Sequence, residues 1–156
     1  MDMVTYKEAL DFLNLLSGKP LCYAIKSPDM ELYDFGFGEL IEVKNRQGHK
    51  KRIGTHILHA ICRFKVIWQT GDGRVDKYCE DTSSEEFHAE INRLLGLTVK
   101  RVALSDKNDL WLDLGDCWIV FATYENGDES WRFFTSDTNL PHLVVANSWV
   151  DIQAEK

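Results

Sequence analysis

The stretch His56-Ile57-Leu58-His59-Ala60-Ile61-Cys62-Arg63-Phe64-Lys65-Val66-Ile67-Trp68 decides the fold class. From Leu58 on its even positions are all apolar, while its odd positions mix Ile with His, Arg and Lys. That is the period of two of a half-buried strand, not the 3.6 of a helix. The reading predicts one long strand over 56–68. It also argues against a metal site. His56-x-x-His59-x-x-Cys62 would converge on one face of a helix, but on a strand His59 points away from His56 and Cys62. No zinc site and no cofactor are expected.

Two helices flank this strand in sequence. Thr5-x-x-Glu8 and Ser83-x-x-Glu86 are capping boxes. Ala9, Leu10, Leu13 and Leu16 make the apolar stripe of the first helix, which Gly18 closes. Phe87, Ile91, Leu94 and Leu95 make that of the second, which Gly96 closes. After each helix comes a strand, a turn and a strand. These are Leu21–Lys26, Ser27-Pro28-Asp29 and Glu31–Tyr33, then Val99–Leu104, Ser105–Asn108 and Asp109–Trp111. An offset of 78 aligns the two units, with six identities over positions 5–33, where average composition gives about two. An internal duplication is expected.

The second unit then reads as a meander. Its strands are Leu110–Leu114, Cys117–Tyr124 and Ser130–Phe134, with an Asn126-Gly127 turn before the last of these. After a polar loop the chain returns as one final strand, His142–Ile152. The first unit inserts a polar stretch, Glu39–Gly54, before the long strand, and follows that strand with Arg74–Cys79.

The chain has 156 residues, one domain's worth, with halves at 1–78 and 79–156. Its net charge of −7 makes it a poor general nucleic-acid binder. Lys44–Arg52 holds five of the 18 Lys and Arg, leaving 13 basic against 25 acidic residues, or −12, elsewhere. Such a cluster can dock an anionic partner, a phosphate or a nucleic-acid backbone, or be a solvated loop. It lacks the interleaved aromatics of single-strand binders. Acidic residues crowd the turns at Asp106/Asp109, Asp113/Asp116 and Glu125/Asp128/Glu129 and the second helix start. They fit either a cationic partner or the protection of strand edges. No run of about 20 apolar residues spans a membrane and no signal peptide opens the chain. Cys22, Cys62, Cys79 and Cys117 form no C-x-x-C pair and are expected reduced, in a cytoplasmic protein.

Enzyme signatures are absent: no nucleophile elbow, no P-loop and no dinucleotide glycine pattern. The most distinctive polar and aromatic group is Glu129-Ser130-Trp131-Arg132 with Pro141-His142. On a strand, Trp131 and Phe133 share one face and Arg132 and Phe134 the other. Exposed Trp and Arg are hot-spot residues for binding. Equally, Trp131 can be core, with Arg132 paired to Glu125 or Glu129.

These residues resemble a diffuse group of small bacterial proteins of no assigned function. One strand of that group reads Leu-His-Val-Gln-Cys-Pro-Trp-Arg, matched here at Leu58, His59 and Cys62. Its later Glu-x-Trp-Arg and Pro-His-x-Val-Val are similar to Glu129–Arg132 and Pro141–Val145. The resemblance implies a bacterial source and raises His59, Trp131, Arg132 and His142 as site residues. It implies no activity.

The expectation is an α+β fold of two pseudo-repeated halves, each a helix plus an antiparallel meander, with helices covering one face of the sheets. The leading functional reading is a non-enzymatic protein-interaction module, in one form immunity- or antitoxin-like, with a protein partner and room for a homodimer. The alternative is a small-ligand or anion-binding module, with His59, Glu129, Trp131, Arg132 and His142 as its site at a cleft between halves.

Overall fold

Both helix starts form as their caps dictate. The Thr5 hydroxyl accepts from the Glu8 amide and the Ser83 hydroxyl from the Glu86 amide, each at 3.2 Å. The computed structural model describes residues 5–27, 32–78 and 83–153. Helix α1 spans Tyr6–Leu13 and tightens into a 3-10 turn at Asn14–Leu16; α2 spans Ser84–Leu94. Their buried stripes are Ala9, Leu13 and Leu16, and Phe87, Ile91 and Leu94. Of the anticipated turn Ser27-Pro28-Asp29, Pro28 and Asp29 lie outside the described residues, as do Glu31 of the strand expected after it and the strand end at Cys79.

Eleven strands are described. They are β1 (Leu21–Lys26), β2 (Tyr33–Lys44), β3 (Lys50–Ala60), β4 (Phe64–Thr70), β5 (Gly73–Tyr78), β6 (Arg101–Leu104), β7 (Leu110–Asp113), β8 (Cys117–Phe121), β9 (Trp131–Thr135), β10 (His142–Val145) and β11 (Val150–Gln153). They form two antiparallel sheets, ordered β1-β2-β3-β9-β10-β11 and β5-β4-β8-β7-β6. The fold is α+β with mostly sheet. Each sheet mixes strands from before and after residue 79, joined at β3/β9 in the first and β4/β8 in the second.

The long strand expected over 56–68 is two strands in different sheets. At the break, the Ile61 and Cys62 amides donate to the Ser130 carbonyl (2.9 and 3.0 Å), and the Tyr124 hydroxyl donates to the Ile61 carbonyl. The backbone is therefore satisfied outside any ladder where the chain leaves one sheet for the other. The apolar alternation runs through the break for a simple reason. Leu58 and Ala60 face the inter-sheet core from the first sheet, Cys62 sits in the break, and Phe64, Val66 and Trp68 face the same core from the second. All six are buried there. The final strand also divides, turning between β10 and β11 with the Ala146 amide on the Trp149 carbonyl (2.9 Å).

The helices do not cover one sheet face. On α1, Phe12 meets Phe133 of β9 edge-on at 5.3 Å, and Tyr6 Oη donates to the Leu104 carbonyl of β6 (3.1 Å). On α2, Phe87 meets Tyr33 of β2 and Phe64 of β4, and Glu90 accepts from the Trp68 indole. Each helix thus bridges both sheets. The polar stretch Glu39–Gly54 is mostly strand rather than loop. Leu40–Lys44 pairs with Lys50–Gly54, and among the described residues the two segments have no other strand beside them. No helix among the described residues is long and apolar enough to cross a membrane.

Burial pushes the Cys62 thiol up to about 12 from its ordinary 9.0, and the Cys117 thiol likewise, helped by the Asp116 and Glu90 carboxylates. The unfolded chain releases these protons near 9 and the folded chain only near 12. Folding is therefore favoured below pH 9 and loses that contribution between pH 9 and 12. The urea midpoint should fall across that window, and less steeply in a Cys62→Ala, Cys117→Ala double variant.

Candidate functional site

The outer face of the first sheet, turned away from the inter-sheet core, carries the polar constellation. Asp34 on β2 lies opposite His59 on β3, which lies opposite Arg132 on β9. His59 Nε2 is 3.5 Å from Asp34 Oδ1, and the Tyr23 hydroxyl of β1 donates to the same oxygen (3.3 Å). Tyr23 can cross this face because its cross-strand partner is Gly36; a Cβ there would stand 2.0 Å from the Tyr23 ring. Burial, with the Asp34 carboxylate second, raises the Tyr23 pKa well above 10 and keeps it a hydroxyl donor.

On the other side of His59, Phe134 receives its ring edge-on at 4.9 Å and stacks on His142 at 4.2 Å, 12° from parallel. Arg132 Nη1 sits 3.2 Å from His142 Nδ1. A guanidinium carries only donors, so this ring nitrogen accepts and the imidazole proton belongs on Nε2. Arg132 also donates through Nε (3.2 Å) and Nη2 (2.5 Å) to Glu129 Oε1.

His59, Glu129, Arg132, Phe134 and His142 line a hollow of about 330 Å³ together with Leu32 and Ile61, with Asp34 and Tyr23 behind His59. No known protein family, curated protein or solved structure matches the chain.

The structure brings together four of the five residues singled out in the sequence: His59, Glu129, Arg132 and His142. Trp131 is the exception. It is fully buried on the inner face, and its indole donates to the Asn108 carbonyl (3.1 Å). Strand parity already put it opposite Arg132. Phe134 was legible by the same parity. Asp34, Leu32 and Ile61 were not, because only the β2/β3 pairing and the break at Ile61 bring them here. His56 stands apart from the hollow, stacked on Phe133, with burial and Lys19 lowering its pKa. Among the described residues, no group of three His, Cys, Asp or Glu is placed to hold a metal.

Proposed function

We propose that the protein is a small-molecule-binding module. Its pocket lies where the two halves of an internally duplicated chain meet in the first sheet. The observation that carries this is the convergence of His59, Glu129, Arg132, Phe134 and His142 around one hollow. A hollow of about 330 Å³ is at the small end for ligand sites, so the ligand is compact.

The duplication is supported by four hydrogen bonds that join the units reciprocally. Gly18 N donates to Val99 O and Gly96 N to Leu21 O; Leu21 N donates to Leu97 O and Val99 N to Lys19 O. Each bond becomes its partner on shifting one residue by +78 and the other by −78. The isolated bridge Pro20↔Thr98 spans the same offset. The order β1-β2-β3-β9-β10 also maps strand for strand onto β6-β7-β8-β4-β5.

That mapping supplies an internal control. The places of Asp34, His59, Arg132, Phe134 and His142 are taken in the second sheet by Trp111, Val120, Lys65, Ile67 and Asp76. There Lys65 reaches Asp76 at 3.6 Å, and Asp76 is clasped more closely by Arg74 from its own strand, at 2.7 and 2.9 Å. The architecture therefore does not require imidazoles and a guanidinium at these positions, and their presence at one seam supports binding chemistry there.

Glu129 already neutralises Arg132, and Asp34 stands beside His59, so the pocket has no surplus positive charge. This favours an uncharged or zwitterionic ligand, with an apolar part against Leu32, Ile61 and Phe134, over a free anion. A fragment library screened by saturation-transfer NMR tests the reading. Binders should shift the amides of His59, Ile61, Arg132 and His142 and be lost in Arg132→Met. Binders spread over other surfaces, or unaffected by that substitution, would overturn it.

The protein-interaction reading has one observation in its favour. Trp111 and Trp118 meet edge-to-face at 5.9 Å on the outer face of the second sheet, with Arg101 over Trp118 at 5.1 Å, all incompletely buried.

A further inference from the structure

The basic cluster is the far end of a two-stranded arm. Five ladder pairs, from Leu40↔Gly54 to Lys44↔Lys50, extend past the last residues that pair with β1 or β9. At about 3.3 Å per residue this carries the tip roughly 17 Å outward. Asn45 Oδ1 closes the tip by accepting from the Gln47 and His49 amides (both 2.9 Å). The side chains of Lys44, Lys50, Lys51 and Arg52 are exposed.

Three features of the arm point the same way. Lys44 and Lys50 are directly opposed, a like-charge pair that weakens a free ladder, partly offset by Glu42, 3.4 Å from Lys50 Nζ. By strand parity Lys44, Lys50 and Arg52 lie on one face of the ribbon and Lys51 on the other. A flat acidic surface engages one face; a groove walled by two rows of phosphates engages both. The extension also answers the objection from net charge. Apart from Glu42, which sits in the arm itself, the acidic residues lie behind the arm, about two Debye lengths from the tip at physiological salt, so their repulsion is largely screened there.

We propose that this arm is a duplex-DNA-binding element that enters the major groove. The major groove of B-DNA admits a two-stranded β-ribbon, whereas the deep, narrow one of A-form RNA does not. The contact reads phosphates and groove shape, and its affinity is that of non-specific binding.

Fluorescence anisotropy with a labelled 20-base-pair DNA, an RNA duplex of the same sequence and polyglutamate as competitor tests this on the whole chain. The DNA should bind with a Kd of about 10⁻⁶–10⁻⁴ M, and log K should fall with log salt at a slope of about −2.7 to −3.6, from three or four phosphates neutralised. A variant carrying Lys44→Ala, Lys50→Ala, Lys51→Ala and Arg52→Ala should lose at least tenfold in affinity and most of that slope. Its melting temperature should stay near wild type, because none of the four is in the core. The inference is overturned by absence of DNA binding at low salt, by equal binding of the variant or of duplex RNA, or by polyglutamate displacing DNA at equal charge concentration. The last result would assign the arm to an acidic protein.

Discussion

Replacing Trp131 with Ala is expected to cost about 3–5 kcal/mol of stability, the range for deleting a buried aromatic. In a chain of this length that lowers the melting temperature by roughly 10 °C or more. The side chain is fully buried on the inner face of β9, between the sheets. Its indole nitrogen donates to the Asn108 carbonyl (3.1 Å), and the Asn108 side chain donates to the Ala146 carbonyl (2.9 Å). Trp131 therefore ties β9 to the turn before β7 and to the end of β10. Trp131→Phe keeps most of the apolar volume and loses the hydrogen bond, so its cost should be nearer 1–3 kcal/mol, as for an abandoned buried acceptor. Circular-dichroism melts of the two variants check both figures. The Phe variant, once folded, should bind pocket fragments as wild type does, because its side chain faces away from Arg132. A loss of fragment binding without a loss of stability would place Trp131 in the site after all.

Trp131 also shows where sequence reasoning reaches its limit. Strand parity separated it from Arg132, and the Glu129–Arg132 pairing was among the arrangements that spacing allowed. Parity does not say which face is inside; that is decided by what lies across the sheet. The stretch 56–68 makes the same point at the level of the fold. Its alternation was real, and every even residue from Leu58 on is buried, yet it belongs to two strands. Two sheets facing one core leave the period of two undisturbed when the chain passes between them. The signal for the break is remote: the Ser130 carbonyl and the Tyr124 hydroxyl, more than 60 residues on, satisfy the backbone at Ile61 and Cys62. The caps at Thr5 and Ser83 were legible because their chemistry is local. The site was half legible for that reason too. Arg132, Glu129 and His142 lie within 14 residues of one another, whereas Asp34 and His59 reach them only through the β2/β3/β9 pairing.

Phe35→Ala is expected to be at least as costly as Trp131→Ala, at about 4–5 kcal/mol. Phe35 is fully buried on β2, and its ring meets Phe64 of β4 at 5.1 Å and Phe121 of β8 at 5.2 Å, both edge-to-face. Phe64 and Phe121 are in turn 5.7 Å apart across the β4/β8 seam. One ring of the first sheet thus rests on the two strands that join the halves in the second. Deleting it leaves a cavity that two aromatic neighbours on separate strands cannot close by small shifts, so the cavity adds to the lost transfer energy. It also removes two edge-to-face pairs, each worth about 0.5–1.5 kcal/mol beyond burial. Urea titration should show the midpoint falling with an unchanged slope, as expected when packing is lost but the surface exposed on unfolding is not. A loss below about 2 kcal/mol would mean that the sheets are held together elsewhere, by the helices that bridge them. In that case Phe87→Ala on α2, which removes the contacts to Tyr33 and Phe64, should become the more damaging substitution.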